Sequence, residues 1–395
     1  MKNISVVELN LNNYGTFFTL VLNNKLFVEI TRYFLWKIHN SNRRGMLAFS
    51  TQRLYLYDVY NFFKLLYKFG FEWDTVTSKD IRRIRDYLDQ TKKDRNPINR
   101  KTNIWVEFYQ WCIDNNIEVI YKSKYKRIKR KSNMDDNFLA HVSNGSDCLI
   151  NEFYLSPLRA ENTYKVLTED EFNKLKIQLR MNDIMYEAIA ITMITTGLRI
   201  GEVLQLRNIT FPPSNILSNK ESLEYSYVPK GERSTGKKVS CIFPYETWHY
   251  LSTVIFKLRI QRLKSNNRKT NYLFINESGK DIKAYHVQKI FRNISNESNN
   301  RKIVTHMLRH TYATWIVIQW AKENKINNIS ESFYKDIHEM LSEQLNHKNI
   351  STTKKYCKTA ARFKFLKVLP QVNQKAYSKN HIKESLDYLK QQGYE

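Results

Sequence analysis

Leu345-Asn346-His347-Lys348-Asn349-Ile350-Ser351-Thr352-Thr353-Lys354-Lys355-Tyr356 sets a histidine and a tyrosine nine residues apart. Ser351-Thr352-Thr353 between them is a natural helix N-cap, because hydroxyl oxygens accept from free backbone N–H groups. Alone, Tyr356 is one of 25 tyrosines and carries little weight. Three upstream pieces change that: T-G-L-R-I-G-E over Thr196–Glu202, V-P-K-G-E-R over Val228–Arg233, and T-H-M-L-R-H-T over Thr305–Thr311.

Each piece has a plain reading and a chemical one. Arg199 lies between Gly197 and Gly201 where a helix should start, so backbone N–H groups and a guanidinium can face one anion. The plain alternative is an ion pair with Glu202, three residues along the same helix. Lys230 stands beside Gly231 at the entrance to a turn, with Lys237 and Lys238 across it as competitors. His306 and Arg309 are i, i+3 and share a helix face. His306 and His310 are i, i+4, which also suits zinc, but Met307 occupies the place of the Glu in H-E-x-x-H. His310 therefore reads as a packing residue.

Together, and in this order, the pieces resemble the tyrosine recombinase (phage integrase) family. Its signature is an Arg in T-G-x-R-x-x-E, a Lys in a β-hairpin, an H-x-L-R-H helix, and an L-x-H segment leading to the nucleophilic Tyr. The matching positions are Arg199, Lys230, His306, Arg309, His347 and Tyr356, and the resemblance covers about Thr168 to Thr359. It implies a mainly α fold with a small antiparallel β-sheet (α+β), made of a helical core-binding domain and a catalytic domain. It implies cleavage and rejoining of DNA through a 3′-phosphotyrosine on Tyr356 and a free 5′-hydroxyl, with no cofactor, metal or ATP. Arg199 and Arg309 would hold the phosphate, and His306 and His347 would add hydrogen bonds or assist proton removal. Lys230 would protonate the leaving oxygen, with Lys237 and Lys238 still open. Glu202 reads as a residue that orients Arg199 or a neighbouring helix.

The implied partners are double-stranded DNA recombination sites, a homodimer on each site, a homotetramer in the synapse, and accessory proteins. In the family the two domains close around duplex DNA as a C-shaped clamp. The strands that open the chain, followed by a helical module, also look like the transposase A branch of site-specific resistance transposons, hence a mobile element. Two other readings share the fold: a type IB topoisomerase-like enzyme, and a DNA-binding regulator without activity. The complete catalytic set argues against the regulator.

Composition points the same way. Among 395 residues, 64 Lys and Arg against 38 Asp and Glu give a net charge of +26, which suits a polyanionic partner. A 42% hydrophobic and 13% aromatic content is ample for real cores. No apolar run approaches the roughly 18 residues of a spanning helix, and Met1-Lys2-Asn3-Ile4-Ser5 does not open a secretory signal. Cys112, Cys148, Cys241 and Cys357 are scattered, with no C-x-x-C pair. A cytoplasmic, nucleoid-associated bacterial protein is expected, with no membrane partner.

Five segments are expected: a β-hairpin extension over 1–40, a helical DNA-binding module over 41–120, a basic linker over 121–163, the catalytic domain over 164–375 and a helical tail over 376–395. Phe17–Leu22 and Leu26–Glu29 flank Asn23-Asn24 as hairpin strands. Ser50-Thr51 and Thr77-Ser78 are predicted N-caps, and Thr168 with Glu171 forms a capping box. Leu223–Phe243 reads as a hairpin. Lys122, Lys124, Lys126, Arg127, Lys129, Arg130 and Lys131 form a run that is a solvated connector or a track for a phosphate backbone. Ile382, Leu386 and Leu389 share one helix face, which would pack on its own domain or dock on a neighbouring protomer.

Overall fold

The computed structural model describes residues 3–11, 15–40, 49–91, 94–129, 147–156, 166–207, 222–229, 236–297, 301–324, 331–345, 356–357, 359–360 and 379–394. The chain divides into two compact units, Met1–Asn162 and Thr163–Glu395. Helices dominate both, and each contains small antiparallel sheet of its own.

The first unit opens with β1 (Ile4–Leu11), β2 (Gly15–Leu22) and β3 (Lys25–Leu26), antiparallel in the order β1-β2-β3. Asn23 and Asn24 both take positive φ, 51° and 63°, so the tight turn falls where two asparagines tolerate it. The expected extension over 1–40 is corrected in two ways. Val28–Asn40 is a helix, α1, because Ile30, Thr31, Phe34 and Ile38 recur at helical spacing and are all buried. The strands are also not an appendage: Leu20 belongs to the same apolar cluster as Phe62, Trp105, Phe108 and Tyr109 of the helical module.

That module is α2 (Phe49–Lys68), α3 (Ser78–Thr91) and α4 (Asn96–Asp114). Helix α2 starts one residue before the predicted Ser50-Thr51 cap. Helix α3 is capped by Thr77, whose backbone N–H donates to Asp80 Oδ2 at 2.9 Å. Phe62 stacks on Trp105 with ring centroids 4.4 Å apart, and Trp105 Nε1 donates to the Asp58 carbonyl at 3.1 Å.

The expected basic linker is corrected as well. Tyr125–Lys129 is strand β4, paired antiparallel with β5 (Asp147–Asn151). Tyr121 before it and Phe153 after it are buried in the unit's core, so the sheet is anchored at both ends. Asn99 ties down the exit: its Nδ2 donates to the Leu155 carbonyl at 2.7 Å, and its Oδ1 accepts from the Leu155 N–H at 2.8 Å.

The second unit begins with α5 (Glu169–Asn182), closed by the predicted box: Glu171 N donates to Thr168 Oγ1, and Thr168 N donates to Glu171 Oε2. Helix α6 (Ile184–Thr196) is apolar nearly all round and runs through the core, as expected of a helix with no solvent face. Next come α7 (Ile200–Val203), strand β6 (Ser222–Tyr227) and strand β7 (Val239–Pro244). The two strands pair antiparallel, with Tyr227 opposite Val239 and Tyr225 opposite Cys241.

Helix α8 (Tyr245–Tyr250) continues through a π-helical turn at Leu251–Ile255 into α9 (Phe256–Ser265). Then follow α10 (Ala284–Glu297), α11 (Thr305–Glu323), α12 (Glu331–Leu345) and the C-terminal α13 (Lys379–Gln391). Ile382, Leu386 and Leu389 of α13 pack on the core of their own unit, and Tyr388 Oη donates to the Arg180 carbonyl at 3.2 Å. Among the described residues, no helix is long and apolar enough to cross a membrane.

Candidate active site

The end of α6 creates the site. Gly197 caps the helix at φ 71°, a left-handed conformation that costs a side-chain-bearing residue. Space enforces the glycine too: a Cβ there would lie 2.4 Å from both Leu345 Cδ2 and Tyr312 Cδ1. The turn that follows delivers Arg199 to the start of α7. Its guanidinium Nη1 donates to Glu202 Oε1 at 2.9 Å and its backbone N–H donates to Glu202 Oε2 at 2.7 Å. The ion pair weighed as the plain alternative is therefore formed. It also leaves the Arg199 side chain 33% exposed while Glu202 is 1% exposed. The backbone N–H expected to face an anion is occupied by the Glu202 carboxylate.

Arg309 sits on the buried face of α11, with its side chain 1% exposed. Nη1 donates to the Gly197 carbonyl at 2.7 Å, Nη2 donates to the Leu345 carbonyl, and Glu202 Oε2 lies 4.0 Å from Nη1. Burial pulls the Arg309 pKa down, and the Arg199 charge pulls the same way, while Glu202 opposes both. Two guanidinium groups thus share one buried carboxylate, an arrangement that leaves the cluster open to a further anion.

Tyr356 packs with Ala313, Val317, Ile337, Leu341 and Cys357 in a small apolar cluster over α11 and α12. It is 4% exposed. Burial raises its hydroxyl pKa, whereas Arg309, Arg199 and a hydrogen bond with Arg309 lower it. The nucleophile predicted from sequence thus lies in the field of both predicted arginines. His306 is on the exposed side of α11. His310 lies between it and Tyr356, with ring centroids 4.4 Å from His306 and 5.4 Å from Tyr356.

The β6–β7 hairpin is pinned by Gln344 of α12. Its Oε1 accepts from the Ile242 N–H at 2.9 Å, and its Nε2 donates to the carbonyls of Ile242 and Thr196. A cavity of about 740 Å³ opens beside this junction, lined by Thr195, Glu224, Cys241, Trp315 and Met340; Arg199, Arg309 and Tyr356 do not line it. Lys237 and Lys238 are exposed after the turn, where Gly236 takes φ 65°. Lys230 and His347 lie outside the described residues, as do Arg130 and Lys131 of the basic run. Lys122, Lys124, Lys126 and Arg127 are exposed on the first unit, and Lys129 ends β4.

Residues 165–330 match the phage integrase family. The matched stretch lies within the second unit. It is similar to a tyrosine recombinase XerD of Oceanobacillus iheyensis, 26% identical over 216 residues, which is 53% of this chain but 63% of that protein, under two thirds of its length. It is also similar to a tyrosine recombinase XerC of Pediococcus pentosaceus, 25% identical over 78% of this chain and 86% of the relative. A solved lambda integrase (75–356) dimer bound to a COC' core site gives a TM-score of 0.49 at 14% identity, over 85% of this chain and 96% of that one.

The sequence reads His310 as a packing residue, and its ring does pack against those of His306 and Tyr356, as the i, i+4 spacing from His306 on one face of α11 allows. Two positions carried no usable signal. The carbonyls of Gly197 and Leu345 act through the main chain, and only tertiary structure reveals which cation they hold.

Proposed function

We propose that the protein is a site-specific DNA recombinase that cleaves and rejoins duplex DNA through a phosphotyrosine at Tyr356. The observation that carries this reading is that Arg199 and Arg309 share one buried carboxylate, with the Tyr356 hydroxyl hydrogen-bonded to Arg309 and in the field of both cations.

The phosphodiester reacts by in-line displacement, and negative charge builds on its non-bridging oxygens. Arg199 is the more accessible of the two cations and meets the phosphate first, while Arg309 completes a planar set of donors. The Tyr356 oxygen attacks phosphorus, the bond to the 5′ oxygen breaks, and the tyrosine proton passes to a nearby base, for which His306 and His347 are the candidates. A hairpin lysine, Lys230 ahead of Lys237 and Lys238, donates a proton to the departing 5′ oxygen. The ester energy is kept in the 3′-phosphotyrosine, so a 5′-hydroxyl from a second strand can reverse the step and exchange partners.

The working assembly is a homodimer on each site and a homotetramer in the synapse, acting with accessory proteins in the integration, excision or transposition of a mobile element. The exposed Lys122, Lys124, Lys126 and Arg127, together with Lys129, Arg130 and Lys131, follow the DNA backbone.

The test is a nicked suicide substrate, on which cleavage traps the covalent adduct. Wild type should yield an adduct mapping to Tyr356, and Tyr356→Phe should bind the same DNA without forming one. An adduct on any other residue would refute the reading.

A further inference from the structure

Tyr227 ends strand β6 on the face that points into the unit's core; burial alternates along the strand and Tyr227 is 4% exposed. Its hydroxyl is buried and finds no hydrogen-bond partner among the described residues. A buried polar group left unsatisfied in a native fold calls for a physical reason. Packing supplies none, since a phenylalanine would fill the same volume without the oxygen.

The surroundings of the hydroxyl narrow the answer. Apart from Cys241, the charges that act on Tyr227 are those of Glu202, Arg309 and Arg199, the same three that organise the active site. Burial first, and then Glu202, raise the hydroxyl's pKa, so it remains a protonated donor throughout the working pH range. The two arginines carry donors only. Glu202 already accepts from the Arg199 amide and guanidinium. The cluster therefore holds a donor that none of its described acceptors takes up, and a phosphodiester is the group that brings further acceptor oxygens to it.

We propose that the Tyr227 hydroxyl donates a hydrogen bond to a non-bridging oxygen of the scissile phosphate, as a third donor beside Arg199 and Arg309. The inference rests on the phosphotyrosine reading above. It makes β6 more than a support for the hairpin lysine: Lys230 serves the leaving oxygen, and Tyr227, three residues earlier, serves the phosphate. The proton stays on Tyr227 throughout, and no bond to it forms or breaks.

The test compares full-length wild type with Tyr227→Phe on the nicked suicide substrate, using an ordinary scissile phosphate and each stereopure phosphorothioate. Tyr227→Phe should keep wild-type DNA affinity and melting temperature, because the lost hydroxyl has no partner among the described residues. Its adduct should form about 100-fold more slowly, the usual effect of removing one donor to a developing oxyanion. One phosphorothioate diastereomer should slow wild type much more than it slows Tyr227→Phe, since sulfur replaces the oxygen the hydroxyl would contact. An undiminished adduct rate, equal slowing of both proteins by both diastereomers, or a fall in melting temperature would each overturn the assignment and leave the recombinase reading intact. Failure of wild type to form any adduct would end both.

Discussion

The Gly197 carbonyl accepts Nη1 of Arg309 at 2.7 Å, joining residues 112 positions apart in sequence. A guanidinium that is 1% exposed is thereby held by main-chain oxygens, with the Leu345 carbonyl on its other arm. Backbone carbonyls carry partial charge only. They fix the direction of the cation without neutralising it, and so preserve its attraction for a phosphate.

Arg309→Lys should separate charge from geometry. Lysine retains the charge but cannot reach both carbonyls with a planar fork, so one buried oxygen is left unpaired. Stability should fall by about 1–3 kcal/mol, read as a shift in the urea midpoint. Adduct formation should drop by roughly 100-fold or more. A variant cleaving at the wild-type rate would show that charge alone suffices.

Gly197→Ala tests the helix cap. The left-handed backbone costs about 1–2 kcal/mol with a Cβ, and overlap with Leu345 and Tyr312 adds about 1–3 kcal/mol. The urea midpoint should fall accordingly, and adduct formation should fall with it because the carbonyl holding Arg309 moves. Gly236 is the control, since a Cβ at that position would meet nothing within 4 Å among the described residues beyond its chain neighbours. Gly236→Ala should therefore cost only its backbone strain.

Acid should loosen the C-terminal helix. His381 of α13 is 4% exposed, and burial, then Lys176 and Arg180, lower its pKa from 6.5 to about 3. The unfolded chain therefore binds a proton between those values that the fold excludes, so this contribution is complete above pH 6.5 and is lost as pH falls towards 3. Glu187, with its carboxylate 3.6 Å from His381 Nε2, has a pKa raised by burial and acts with the opposite sign. From pH 7 to pH 4, wild type should lose more stability than His381→Gln. Parallel curves in chemical denaturation would assign the acid sensitivity elsewhere.

The exposed cations around β4 should govern salt dependence. Replacing Lys124, Lys126 and Arg127 with alanine should weaken binding to all DNA sequences alike. It should also flatten the plot of log affinity against log salt by about 0.9 for each phosphate that is no longer neutralised. Unchanged slopes would mean that these side chains face solvent in the complex.

Local pattern makes much of this structure legible. The Thr168–Glu171 box, the Asn23-Asn24 turn and the β6–β7 hairpin each depend on neighbouring residues, and all three form. Local pattern misleads where near and distant forces disagree. Leu26–Glu29 looks extended, yet α1 forms because Phe27, Ile30 and Phe34 bury against the module's aromatic core. The strand Tyr125–Lys129 is hidden by its charges; its partner Asp147–Asn151 lies well along the chain, and no local pattern specifies that pairing. In the site, side-chain types reveal Arg199, Arg309 and Tyr356, whereas the carbonyls and the Tyr227 hydroxyl gain meaning only from their surroundings.

The hold on Arg309 has a consequence for biosynthesis. One carbonyl comes from a turn made 112 residues before the arginine, the other from a helix end made 36 residues after it. A chain still emerging from the ribosome, even one that has completed α11, has the cation without its clamp. On the proposed chemistry, a product that stops short of Leu345 lacks one arm of that clamp as well as Tyr356, so it could not cleave DNA.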